Sequence, residues 1–274
     1  MTTDQPTDAE TTDAAVAAPS PPVDPLQAFA QLVNRVFAVP ELAMRAPLAG
    51  ELLLGHDADT SAFVLDQLIR WTALGGHRES ETLLAVVAWL LADDGVYEWK
   101  CGVYEAGVLA NMECAPRFLI EVPPRRVVKN LNSLRRPHFD RDVSLGERKQ
   151  LARGARRDVL ERLLLDLDPS VIAKLCQNPA VQQQDMLTVA TRRPIVPAVL
   201  TEIARSQRWL VRYDVRRAIV HNPYAPTGLS LKLLPFLHGT DIRTIARSTE
   251  LHDALTENAA NLLVIRAARA ALKP

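Results

Sequence analysis

Two stretches hold the side chains best suited to recognition or chemistry. The first, Trp209-Leu210-Val211-Arg212-Tyr213-Asp214-Val215-Arg216-Arg217, sets two aromatic rings beside three arginines, and His221 follows one turn later. Aromatic rings and guanidinium groups carry much of the binding energy of protein interfaces, so Trp209, Arg212, Tyr213, Arg216, Arg217 and His221 form a candidate partner-binding surface. The same tryptophan could instead fill a gap between helices, where short apolar side chains leave room for one large ring. His221 stands just before Asn222-Pro223. A helix C-terminus there would favour its cationic form.

The second stretch runs from Arg125 to Arg162 and carries twelve basic residues against five acidic ones, a net charge of plus seven. Arg125, Arg126, Lys129, Arg135 and Arg136 are its candidate phosphate-binding residues, because each neutralised phosphate releases counterions. The whole chain nevertheless balances 32 basic against 32 acidic residues and is only 5% aromatic, which favours a solvated linker and helix face over a nucleic-acid groove. Base-excision chemistry of the helical DNA-glycosylase kind would need aromatic and acidic groups in a basic hollow. Trp209, Asp214, Arg216 and Arg217 are the nearest approach to that arrangement.

Other chemistry lacks its residues. The six histidines show no spacing that puts two imidazoles on one helix face, so no metal is expected. The three cysteines, Cys101, Cys114 and Cys176, include no C-x-x-C pair and are tied to no histidine by a motif, and their sparse, odd count fits a reducing cytosol. Nucleophile-elbow, phosphate-loop and dinucleotide signatures are absent. The expectation is a protein that is not an enzyme and needs no cofactor.

The elements that position these residues read as helices. Residues 1–23 lack large aliphatics other than valine and are expected to form a disordered, mildly acidic tail, with neither the basic nor the apolar region of an export signal. Asp24-Pro25 then supplies a cap and a first helical position for Leu26, Phe29, Leu32, Val33 and Val36. Further helices are expected over 41–54 with a break at Pro47, over 61–74 closed by Gly75-Gly76, and over 80–92 closed by Asp93-Asp94-Gly95. The stretch 82–92 is too short to span a membrane. A helix over 104–113 is preferred next, with 118–122 as an alternative short strand.

The Pro- and Arg-rich stretch 123–143 reads as a long connection, and Ser144-Leu-Gly-Glu147 has the form of a capping box. Helices follow over 153–165, from Asp168-Pro169 to Gln177, over 241–247, 251–255 and 258–272. Asn178-Pro179 and Asn222-Pro223, forty-four positions apart, each end one helix and start the next, because proline disfavours helical geometry in the residue before it.

The runs DPSVIAKLCQNP, ATRRPIVPAVLTEIARS and YDVRRAIVHNPYAPTGLSLKLLPFL resemble bacterial α-helical repeat proteins of the HEAT-like and leucine-rich-repeat-variant kind. That resemblance implies stacked short helix pairs with a concave partner-binding face. Some relatives of that kind carry an iron–sulfur cluster on clustered cysteines, which this chain lacks. The expected architecture is therefore all-α: a tail (1–23), a helical N-terminal region (24–122), a basic connection (123–143) and an α-solenoid-like repeat region (144–272). The expected role is that of a cytoplasmic scaffold or adaptor for a protein or peptide partner, with nucleic acid as the alternative and no membrane or metal partner.

Overall fold

A computed structural model describes residues 24–92 and 94–271. The expected tail and Asp93 lie outside the described residues. Every regular element among those described is helical and no strand is present, so the chain is all-α.

The N-terminal region contains α1 (Pro25–Ala38), α2 (Leu42–Leu54), α3 (Ala58–Ala73), α4 (His77–Ala92), α5 (Tyr97–Leu109) and α6 (Cys114–Leu119). Asp24 Oδ1 accepts from Leu26 N at 3.1 Å, as the Asp-Pro signal predicts. α2 continues through Pro47 instead of breaking there. Pro47 and Ala43, whose carbonyl the proline leaves unbonded, both face solvent. α3 starts three residues earlier than expected because Asp57 Oδ1 accepts from Thr60 N at 2.7 Å, and it ends at Gly75, whose φ of 84° favours glycine.

The expected helix over 104–113 is replaced by α5 and α6, and the alternative strand over 118–122 does not form. The cause lies forty-eight residues away. Asp66, buried on α3, accepts from Cys114 N at 2.8 Å and Ala115 N at 3.1 Å, so it caps α6 across the interface, while Arg70 donates to its other oxygen at 2.6 Å.

After the connection, which forms one 3-10 turn at Leu131–Ser133, come α7 (Leu145–Leu151), α8 (Arg157–Leu163), α9 (Pro169–Gln177), α10 (Gln183–Thr191), α11 (Pro197–Arg205), α12 (Gln207–Leu210), α13 (Tyr213–Val220), α14 (Thr227–Leu233), α15 (Gly239–Ala246) and α16 (Asp253–Ala271). The Ser144–Glu147 capping box opens α7, and Asp168 caps α9 through Ser170 N at 2.9 Å. The last two expected helices are joined in α16.

The two regions share one contiguous apolar core. α11 packs against α4, α14 against α6, and α16 against both α14 and α3. The connection is tied down as well: Arg126 N donates to Pro223 O at 3.0 Å and Thr227 Oγ1 to Pro123 O at 2.8 Å.

Candidate partner-binding face

Short helices leave many terminal carbonyls without an intrahelical partner. After α7 those groups are met by long donors from later elements. Asn178, at the end of α9, donates to the carbonyls of Ala152 and Gly154 beyond α7 at 2.8 and 2.7 Å. Arg192, at the end of α10, reaches Leu164 O and Asp166 O beyond α8 at 3.1 and 3.3 Å. Arg208 on α12 reaches Asn178 O and Val181 O beyond α9 at 2.7 and 2.8 Å. Asn222, at the end of α13, donates to Ala190 O and Arg192 O at the end of α10, at 2.8 and 3.0 Å.

Asn178 and Asn222 each mark a helix end as expected, but they serve different joints. Asn178 joins α9 to α7, Asn222 joins α13 to α10, and the arginines do the same work at the intervening joints. The N-terminal ends are linked too, through first-turn aspartates. Both terminal nitrogens of Arg157 on α8 donate to Asp185 on α10, one at 2.7 Å, and hold that carboxyl below its usual range. Gln183 on α10 donates to Asp214 on α13 at 2.9 Å. On α13, Tyr213 donates its hydroxyl to Asp241 of α15, and Arg217 Nε stands 3.1 Å from the same carboxylate.

Asp158, Asp185, Asp214 and Asp241 occupy the first turns of α8, α10, α13 and α15, at intervals of 27, 29 and 27 (185 − 158, 214 − 185, 241 − 214). That periodicity was present in the sequence. A search on aspartate rather than on Asn-Pro would have found it.

Bonds at both ends thus set α8, α10 and α13 side by side and pointing the same way. In this row α10 and α13, and next to them α15, which is bonded to α13 through Asp241, each turn outward the residues at i, i+3, i+4 and i+7: Gln184, Leu187, Thr188 and Thr191; Asp214, Arg217, Ala218 and His221; Thr240, Arg243, Thr244 and Arg247. Between α10 and α13 lies a groove of about 530 Å³ floored by Leu187 and Ala218 and edged by Thr188, Arg217 and His221.

Of the proposed partner-binding residues, this face holds Arg217 and His221, with exposed Arg212 and half-buried Tyr213 at its edge. Tyr213 stacks on His238, ring centroids 4.2 Å apart, and burial together with the Asp241 contact raises its phenol pKa. Trp209 does not belong to the face. It is only 2% exposed and donates from Nε1 to Cys176 O at 3.0 Å, so the ring fills the core, with Arg208 over it. Arg216 also turns inward, donating to Leu210 O at 2.7 Å beside Phe236, and burial lowers its pKa.

His221 is corrected in charge. Burial pushes its pKa below 6.5, with Asp241 opposing the effect and Arg217 and Arg193 adding to it, so the neutral imidazole is favoured where the helix terminus alone would have favoured the cation. Its Nε2 is buried without a hydrogen-bond partner among the described residues.

The five candidate phosphate-binding residues are divided. Arg125, Arg126 and Lys129 line a shallow cleft with Tyr224, yet Arg125 lies 3.7 Å from Asp253 and Arg126 3.5 Å from Glu250. Arg136 lines a separate hollow that also holds Asp142, Asp166 and Asp168, and Arg135 is exposed. Burial pushes the thiols of Cys114 and Cys176 up to about 12, which leaves them protonated and poor nucleophiles. Among the described residues no group of three potential metal ligands is brought together, and no helix is long and apolar enough to cross a membrane.

Comparison of the chain with protein-family models, with curated proteins and with solved structures finds no match.

Proposed function

We propose that this protein is a non-enzymatic scaffold or adaptor whose helices after α7 form a helical-repeat array, and that a protein or peptide partner lies across the outer row α10, α13 and α15. One observation carries the choice of face. The inner helices α11 and α14 pack against α4 and α6 of the same chain, whereas α10, α13 and α15 each keep an outward stripe that is exposed or half-buried, although α16 packs along α15. A partner therefore meets Leu187, Thr188, Arg217, Ala218 and His221 instead of the inner side of the array.

Nucleic-acid binding through the arginine-rich segment 125–162 and Arg212 to Arg217 carries less support, because Arg125, Arg126, Arg148, Arg157 and Arg217 already face carboxylates. Capture of binding proteins from the source cell tests the assignment, with Ala218→Arg blocking the groove and Arg35→Glu on α1 as a remote control. Loss of capture with the first variant and retention with the second is the expected result. Equal capture by both variants would place the interface elsewhere.

A further inference from the structure

The outer row changes character along its length. The α10 stripe (Gln184, Leu187, Thr188, Thr191) carries no charge, and the floor of the neighbouring groove is apolar. The α15 stripe is cationic. Arg243 and Arg247, one turn apart, have no side-chain ion pair or hydrogen bond among the described residues, and they line a hollow of about 600 Å³ together with Thr240, Thr244, Ser248 and Thr249. The carboxylate on that hollow, Glu250, is already held by Arg126 at 3.5 Å and Arg193 at 3.3 Å. On the intervening helix, Asp214 accepts from Gln183 and lines the slot beside Arg217, so the partner's carboxylates belong at the α15 end. The row therefore joins an apolar slot to two uncompensated guanidinium groups surrounded by hydroxyls, a donor set that matches carboxylates.

We infer that the partner segment is an acidic peptide, with one apolar side chain seated over Leu187 and Ala218 and a pair of carboxylates reaching Arg243 and Arg247. This rests on the outer row being the partner face. The slot and the hollow lie on either side of α13, and helix axes on the order of 10 Å apart put them about 15 Å from each other. An extended chain covers that distance in about four or five residues at roughly 3.3 Å each. The recognition element is an apolar residue followed or preceded, at that interval, by two acids. The arginines set the charge of the partner and the slot sets its register.

Selection of displayed random dodecapeptides on the full-length chain tests this. Enriched peptides should carry the apolar–acidic spacing, and the strongest of them, made as a labelled synthetic peptide, should bind about tenfold or more weakly when salt is raised from ~50 to ~300 mM. Arg243→Glu together with Arg247→Glu should abolish that binding and leave the thermal transition unchanged, since neither side chain has a partner among the described residues. Peptides that lack acidic bias yet are lost on Ala218→Arg would overturn the acidic assignment and keep the face. Peptides indifferent to Ala218→Arg, or no enrichment at all, would overturn both.

Discussion

Asn178 and Asn222 make the same three hydrogen bonds at two different joints. Each amide nitrogen donates to two carbonyls at the end of an earlier helix, and each amide oxygen accepts from the backbone N–H two residues on, Ala180 at 2.9 Å and Tyr224 at 3.0 Å. Both residues are buried. Alanine at either position leaves two carbonyls without their donor and should lower stability by about 1–3 kcal/mol, read from urea midpoints. Aspartate should cost more, because its carboxylate would face carbonyl oxygens. Its folded pKa would then lie above the unfolded value, so the loss relative to the parent should shrink as pH falls into the carboxyl range and be full at neutral pH.

Trp209 separates packing from hydrogen bonding. Trp209→Phe keeps most of the ring volume but strands Cys176 O, with an expected loss of about 1–2 kcal/mol. Trp209→Ala also opens a cavity beside Cys176 and should cost about 3–5 kcal/mol. Thermal or urea denaturation distinguishes the two. Equal, small losses would mean that the ring is not seated in the core.

The helix starts at Asp24-Pro25, Ser144 and Asp168-Pro169 were legible in the sequence because each cap is made by residues within one turn of the end it serves. The N-terminal cap of α6 was not, since Asp66 reaches it from another helix. The joints between helices were half legible. Asn-Pro marked two of them, but Arg192 and Arg208 fill the same need with a different side chain, so residue identity hid the recurrence that hydrogen-bond geometry displays. Trp209 was ambiguous for a related reason: composition shows a large ring beside arginines, and only the packing of α12 decides that the ring points inward while Arg212 and Arg217 point out.

His221 makes stability depend on pH in a defined direction. Its folded pKa lies below 6.5, so between that lowered value and 6.5 the unfolded chain binds a proton that the folded chain refuses. Stability in this window rises with pH and falls on acidification. His221→Gln, which cannot take up a proton, should lose less stability than the parent when pH is lowered from ~7.5 to ~5.5. Parallel losses in thermal melts of the two proteins would assign the acid sensitivity to other groups.

Gly228 fixes how closely α14 approaches the segment after α6. A Cβ there would stand 2.4 Å from Glu121 Oε2 and 3.0 Å from Ile120 O. Glu121 is mostly exposed and can swing away, but the Ile120 carbonyl is backbone and cannot, and moving Glu121 strips the buried Lys232 ammonium of its carboxylate partner at 2.8 Å. Lys232 Nζ would keep only Gly228 O at 3.3 Å. Gly228→Ala should therefore cost about 1–3 kcal/mol through crowding and the weakened ion pair together. Adding Lys232→Met removes the charge that needed Glu121 and should recover part of that loss, so the two substitutions are expected to be non-additive in a double-mutant cycle. Strict additivity would mean that crowding against Ile120 alone sets the cost, with Glu121 free to leave Lys232 without penalty.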